Sequence, residues 1–166
     1  MIKTEVLWGV TRLEKSLNTI ASLCEELCET MEKERSALTE ARDRDMENIL
    51  GEKRERLQKI AAAEEERQNA ANALGLALGI SAHPPLSQLT EALAPDQSEP
   101  LIHLKNRLTE SMKKMMTLNT GNARLIRRAQ YYNRNLMELI KGPSPITYGP
   151  DGSSTANAVN LIHKRI

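Results

Sequence analysis

Apolar residues recur along most of this chain at steps of three and four. Val10, Leu13, Leu17, Ile20, Cys24, Leu27 and Met31 alternate those steps without a break. A period near 3.5 residues predicts an amphipathic helix that crosses its neighbours with a left-handed twist. The stripe begins at Ile2 and Val6 and reaches Leu38, so a first helix is predicted over residues 2–38. Leu7 and Leu23 widen it, which suits a bundle better than a two-stranded coil. Gly9 is a weak point, costing about 1 kcal/mol relative to Ala if exposed.

Residues 40–45 are charged and form either a turn or a solvated stretch of one continuous helix. The stripe resumes at Met46 and Ile49 and continues through Leu57, Ile60, Ala71, Leu74 and Leu78. Lys53, Glu64 and Arg67 interrupt it, as snorkelling side chains or as positions facing a partner. Gly79 is a plausible stop. His83-Pro84-Pro85 breaks the helix, since proline lacks the N–H a helix interior needs. Residues 86–93 form a short helix with Leu86, Leu89 and Leu93 on one face and Ser87 as its candidate cap. Residues 95–100 make a polar connector.

The last long helix is predicted over residues 100–140, with Pro100 in its first turn. Its stripe is the most regular: Leu101, Leu104, Leu108, Ser111, Met115, Leu118, Asn122, Leu125, Ala129, Tyr132, Leu136 and Leu139. Asn122 falls on the seam beside Gly121. A buried Asn there fixes register at a cost in stability; the alternative is that Asn119 and Asn122 both face water. Gly142-Pro143-Ser144-Pro145 ends the helix. A flexible tail over residues 141–166 follows, with a Pro-Asp-Gly turn signal at 150–152 and a short helical pattern over 155–166.

The fold class is therefore all-α: an antiparallel bundle or extended hairpin of three long helices with coiled-coil-like packing, one short helix and a tail. The division is a helical domain over 1–140 and a docking tail over 141–166. Composition agrees. Of 166 residues 40% are hydrophobic, yet there is no Phe and only one Trp. Sheet interiors draw on aromatic and β-branched residues, whereas Leu, Ala, Glu, Lys and Arg are helix formers.

Charge is uneven. Residues 1–100 hold 12 Lys/Arg against 19 Asp/Glu, a balance of −7; residues 101–166 hold 11 against 3, a balance of +8. The favoured reading sets acidic helices beside a basic one in the same bundle, because no aromatic interleaves the basic residues before Tyr131. Cys24 and Cys28, one turn apart, are poorly placed for a disulfide and read as small apolar residues near the seam. No metal site is expected. The start of the chain is too charged for a signal peptide, and no apolar run is long enough to span a membrane. The setting expected is cytoplasmic, with no membrane insertion.

No phosphate loop, nucleophile elbow or metalloprotease motif is present. His83, His103 and His163 stand at a loop, a helix start and the tail, and read as surface residues. Carboxylates fall into i,i+4 pairs such as Glu52/Arg56 and Glu55/Lys59. No catalytic residue and no cofactor are expected; the chain reads as a binding protein.

Four segments carry a resemblance: "ENILGEKRERLQKIAAAEEERQ" (47–68), "LGLALG" with "PLSQLTEAL" (74–93), "LNTGNARLIRRAQYYNRNLMELI" (118–140) and "TYGPDG" (147–152). Together they resemble the FlgN family of flagellar export chaperones. The resemblance implies a cytoplasmic chaperone that holds the helical terminal segments of hook-associated (hook–filament junction) proteins for the flagellar type III export apparatus. It implies client contacts at Leu125, Tyr132, Leu136, Leu139 and Ile140. It implies docking to the export gate through Tyr148, with Gly149, Asp151 and Gly152 in the same segment. Two other classes compete: a self-assembling structural coiled coil, and a nucleic-acid-binding module using the basic third helix. No nucleic acid is expected as a partner on the favoured reading, which leaves a homo-oligomer open.

Overall fold

The computed structural model describes residues 2–141, and among these the regular structure is helical throughout. Four helices follow in order: α1 (Ile2–Thr39), α2 (Asp43–Ala77), α3 (Leu86–Ala92) and α4 (Pro95–Lys141). The all-α expectation holds. The chain divides into two compact units, Met1–Leu125 and Ile126–Ile166.

In the first unit, cross-helix partners fix the helix directions. Arg12 pairs with Glu66, Glu26 with Arg56 and Glu34 with Lys53, so α2 runs antiparallel to α1. Glu25 pairs with Arg107, Glu32 with Lys114 and Glu34 with Asn122, so this part of α4 runs parallel to α1. The three long helices of the unit run up–down–up, with the short α3 between α2 and α4 in the chain. One apolar cluster joins Val10, Leu13 and Leu17 of α1 to Ala70, Ala71 and Leu74 of α2, Leu89 of α3, and Leu101 and Leu104 of α4. A second joins Leu27, Cys28 and Met31 to Leu118, with Ile60 and Met115 at its edge.

The charged stretch after α1 is a turn. Ala41 takes the left-handed conformation (φ 53°), and Arg42 N–H donates to the Ala37 carbonyl at 2.9 Å. The same device ends α2, as Gly79 anticipated. Gly79 has φ 71°, its N–H donates to Leu76, and Ile80 N–H donates to Gly75 at 2.8 Å. This pair of bonds is the Schellman closure, which glycine adopts without a Cβ penalty.

Several expectations need correction. α4 starts at Pro95, so residues 95–100 are helix rather than connector. Ala94 accepts from Gln97 and Ser98, which makes Pro95 the first helical residue. The preference for proline in a first turn is met by Pro95, while Pro100 lies inside the helix. Ser87 is not a cap: Pro85 precedes α3, and no side chain caps it. Leu57 is 50% exposed, and half-buried Arg56 takes the inward position instead. Leu7 is exposed and adds nothing to the core. Gly9 is buried where a Cβ would lie 3.2 Å from Leu74, so it permits close approach of α1 and α2 rather than marking a weak spot.

Candidate functional site

The α4 stripe keeps its spacing along the whole helix, but its burial changes. Leu101, Leu104, Ser111, Leu118 and Asn122 are buried, and Leu125, in the first unit, is half-buried. In the second unit Tyr132, Leu136, Leu139 and Ile140 are exposed, Leu139 by 78% and Ile140 by 71%. These four stand at i, i+4, i+7 and i+8, so they share one helix face. Tyr131 and Met137 are exposed as well. Of the residues implied as client contacts, one is thus half-buried and four form an exposed stripe. Tyr148, Gly149, Asp151 and Gly152 lie outside the described residues.

Arginines dress both tyrosines. The Arg128 guanidinium lies 5.7 Å from the Tyr132 ring centre and donates to its hydroxyl at 3.4 Å. Arg134 lies 5.8 Å from the Tyr131 ring centre. The two rings meet edge-on at 6.1 Å. Such contacts contribute about 0.5–1 kcal/mol each at exposed sites and restrict the ring rotamers. The Tyr132–Arg128 pair on the apolar side is amphipathic: it offers contact area and positive charge.

Within the first unit, basic residues of α4 meet acidic residues of α1. Arg107 holds the Glu25 carboxylate with two bonds of 2.6 Å, and those bonds draw the Glu25 pKa below its ordinary value. Lys114 pairs with Glu32 at 2.7 Å. The favoured reading of the uneven charge, acidic helices beside a basic one, is what these pairs make. Among the described residues, Arg127, Arg128 and Arg134 take part in no ion pair.

A polar layer missed by the stripe reading crosses the first unit. Glu34 is 2% exposed. It accepts from Lys53 Nζ at 3.0 and 3.2 Å and from Asn122 Nδ2 at 2.7 Å. Asn122 also donates to the Met31 carbonyl at 2.9 Å. Asn122 is therefore the seam residue, and Asn119 faces water. A signal existed: the stripe jumps seven residues from Met31 to Leu38, and Glu34 sits in the gap. Lys53 is thereby a pairing residue rather than a break, while Arg67 bonds to Glu64 on its own helix.

Cys24 and Cys28 are buried free thiols, and burial pushes both pKa values up. No group of three or more metal-ligating side chains occurs among the described residues. His83 is exposed with Nδ1 3.1 Å from Asn72 Oδ1. His103 is exposed and sits inside α4 rather than at its start, and His163 lies outside the described residues. No described helix is long and apolar enough to cross a membrane.

Comparison with known proteins returns one family. The model described as "FlgN protein" matches residues 1–156. No curated protein and no solved structure matches.

Proposed function

This chain belongs to the FlgN family of flagellar export chaperones, and on that premise we propose that it binds the helical terminal segments of hook-associated proteins and delivers them to the export gate. One observation carries the reading: the α4 stripe continues at core spacing into Tyr132, Leu136, Leu139 and Ile140, which are exposed. A client's amphipathic helix fits such a face, because helix-in-groove recognition uses anchors at i, i+3, i+4 and i+7. Leu125 is the proposed first position of that contact. The segment 141–166 is the proposed docking tail, with Tyr148 as its anchor and Gly149, Asp151 and Gly152 shaping the turn. Family membership supports a chaperone of flagellar export in general; client and gate are the finer part of the proposal.

The test uses the full chain and a synthetic peptide of a hook-associated protein's terminal helix. Leu136→Glu with Leu139→Glu is expected to abolish peptide binding while helicity and melting stay near wild type, because both residues are exposed. Binding retained by that double variant refutes the client face. For the tail, Tyr148→Ala is expected to lose binding to a purified export gate domain. Wild-type affinity in that variant refutes the docking role.

A further inference from the structure

The second-unit part of α4 has two faces, and a client helix uses only one. At about 100° per residue, Arg127 and Arg134, seven apart, fall opposite Tyr132, Leu136, Leu139 and Ile140. Arg128 falls at the edge of the apolar face. Residues 126–141 carry Arg127, Arg128, Arg134 and Lys141 against Glu138, a balance of +3. Farther up the same helix, Arg107 and Lys114 are paired with α1 carboxylates. Arg127, Arg128 and Arg134 have no such pairs among the described residues, where Glu138 is the one acid in their stretch of helix.

We propose that this stretch of α4 also binds the surface of an anionic lipid bilayer, lying in its plane with the leucine face down. A helix with an apolar face and an arginine-rich polar face, too charged to span, partitions into the headgroup boundary. Tyrosine suits that boundary, with its ring in the apolar layer and its hydroxyl among headgroups. Tyr132 stands on the apolar face with Arg128 bonded to its hydroxyl, which places the cation at headgroup level. Two other partners use this surface less completely. A nucleic acid takes the arginines and leaves four apolar side chains in water. A client helix takes the apolar side chains and leaves Arg127 and Arg134 idle. An anionic bilayer takes the apolar face by contact and attracts the arginines on the far side through its surface potential, which reaches a Debye length of ~10 Å, close to the width of the helix. The inference goes beyond the chaperone reading but shares its apolar face, so client and bilayer compete for it.

The experiment is flotation of the full chain with vesicles of phosphatidylcholine alone or mixed with phosphatidylglycerol. Binding is expected only to the mixed vesicles and falls as salt rises. Arg127→Gln with Arg134→Gln is expected to lower the partition about thirtyfold, since each basic residue at an anionic surface contributes about fivefold. The same variant keeps its melting behaviour and its client-peptide affinity, because the exchanged residues lie opposite the client face. Equal partition into both vesicle types overturns the proposal. So does a double variant that floats like wild type, or a single-stranded RNA oligomer that binds where the mixed vesicles do not. Loss of client binding by Leu136→Glu with Leu139→Glu, together with failed flotation of wild type, rejects the bilayer and keeps the chaperone reading.

Discussion

The layer formed by Glu34, Lys53 and Asn122 makes a quantitative prediction. Lys53→Met keeps most of the side chain's methylenes and removes its charge. Glu34 is then a carboxylate 2% exposed whose remaining described donor is the Asn122 amide. Breaking a buried ion pair from one side costs about 3–5 kcal/mol. The Lys53 side chain is 21% exposed, so water partly screens the pair and the lower end applies, about 3 kcal/mol. Against a typical domain stability of about 5–15 kcal/mol that is a large loss. The double variant Glu34→Leu/Lys53→Met removes both charges and is expected to recover most of that loss, because a well-packed apolar pair replaces a buried ionic one at little cost. The Asn122 N–H that donates to Glu34 loses its acceptor, which leaves a remainder of about 1 kcal/mol. Asn122 keeps its bond to the Met31 carbonyl in either background. Urea unfolding followed by far-UV circular dichroism, completed as a double-mutant cycle, measures the difference. Two results refute the reasoning: Lys53→Met costing under about 1 kcal/mol, the range of a surface pair, or a double variant as unstable as the single.

Further predictions concern local structure. Ala41→Gly is expected to raise stability by about 0.5–1 kcal/mol, because Ala41 occupies the left-handed region that penalises a Cβ. Gly121→Ala gains about 1 kcal/mol by helix propensity, since an added Cβ there meets no atom within 4 Å. Gly75→Ala does the reverse, since its Cβ would meet Pro84 Cγ at 2.6 Å and the Ser81 carbonyl at 2.8 Å; thermal melts of these three variants separate the signs. The Glu25 pKa is depressed by its bonds to Arg107, so its contribution is present above the ordinary carboxylate value near 4.5 and fades as pH falls through the folded value. The stability gap between wild type and Glu25→Gln is therefore expected to shrink on acidification below that point, as read from urea midpoints across pH.

Much of the fold was legible because its signal is periodic. The stripe places the first helix within one residue of its observed end at Thr39, and Gly79, the predicted stop, has the positive φ of 71° that glycine permits. Errors arose where local chemistry offered two equivalent choices. Pro95 and Pro100 both satisfy the rule for a helix start, and five residues of α4 turned on which one applied. Leu57 lies one position from Arg56, and hydrophobicity favoured the leucine. The helix instead presents Arg56, whose guanidinium reaches toward Glu26 at 3.7 Å. Burial of Glu34 is only faintly legible: it sits in the gap of the stripe between Met31 and Leu38, but a lone glutamate on a charged helix ordinarily faces water. Only its partners on two other helices make its burial tolerable. For the candidate site, the sequence supplied the stripe but not the point where burial ends, because spacing is the same on both sides of Leu125.

That indifference of spacing to burial explains how the exposed stripe persists. Beyond Leu125 the helix forgoes the core contacts that hold its earlier turns, yet residues 126–141 remain helical. A separate peptide of that length is marginal, because forming the first turn is the unfavourable step. Here the first turn is already made within the same helix, and each further residue needs only propagation. Leu, Met, Arg and Gln propagate well, and the cation–π contacts at Tyr131 and Tyr132 add about 0.5–1 kcal/mol each. The helix can therefore hold out apolar area without spending it on folding. Fully burying a side chain such as Leu or Ile gains about 1.5–3 kcal/mol, so Leu136, Leu139 and Ile140 together withhold roughly 5–9 kcal/mol of burial from the fold. A docking partner recovers only the surplus left after the cost of association, which is itself several kcal/mol. On the proposed client face affinity is then expected to be moderate and reversible. It also follows that adding one more leucine beside the stripe, for example Asn133→Leu, should slow release more than it speeds capture, because affinity changes within one interface fall mainly on the dissociation rate. Stopped-flow kinetics on the terminal-helix peptide read both rates, and a change confined to association contradicts the argument.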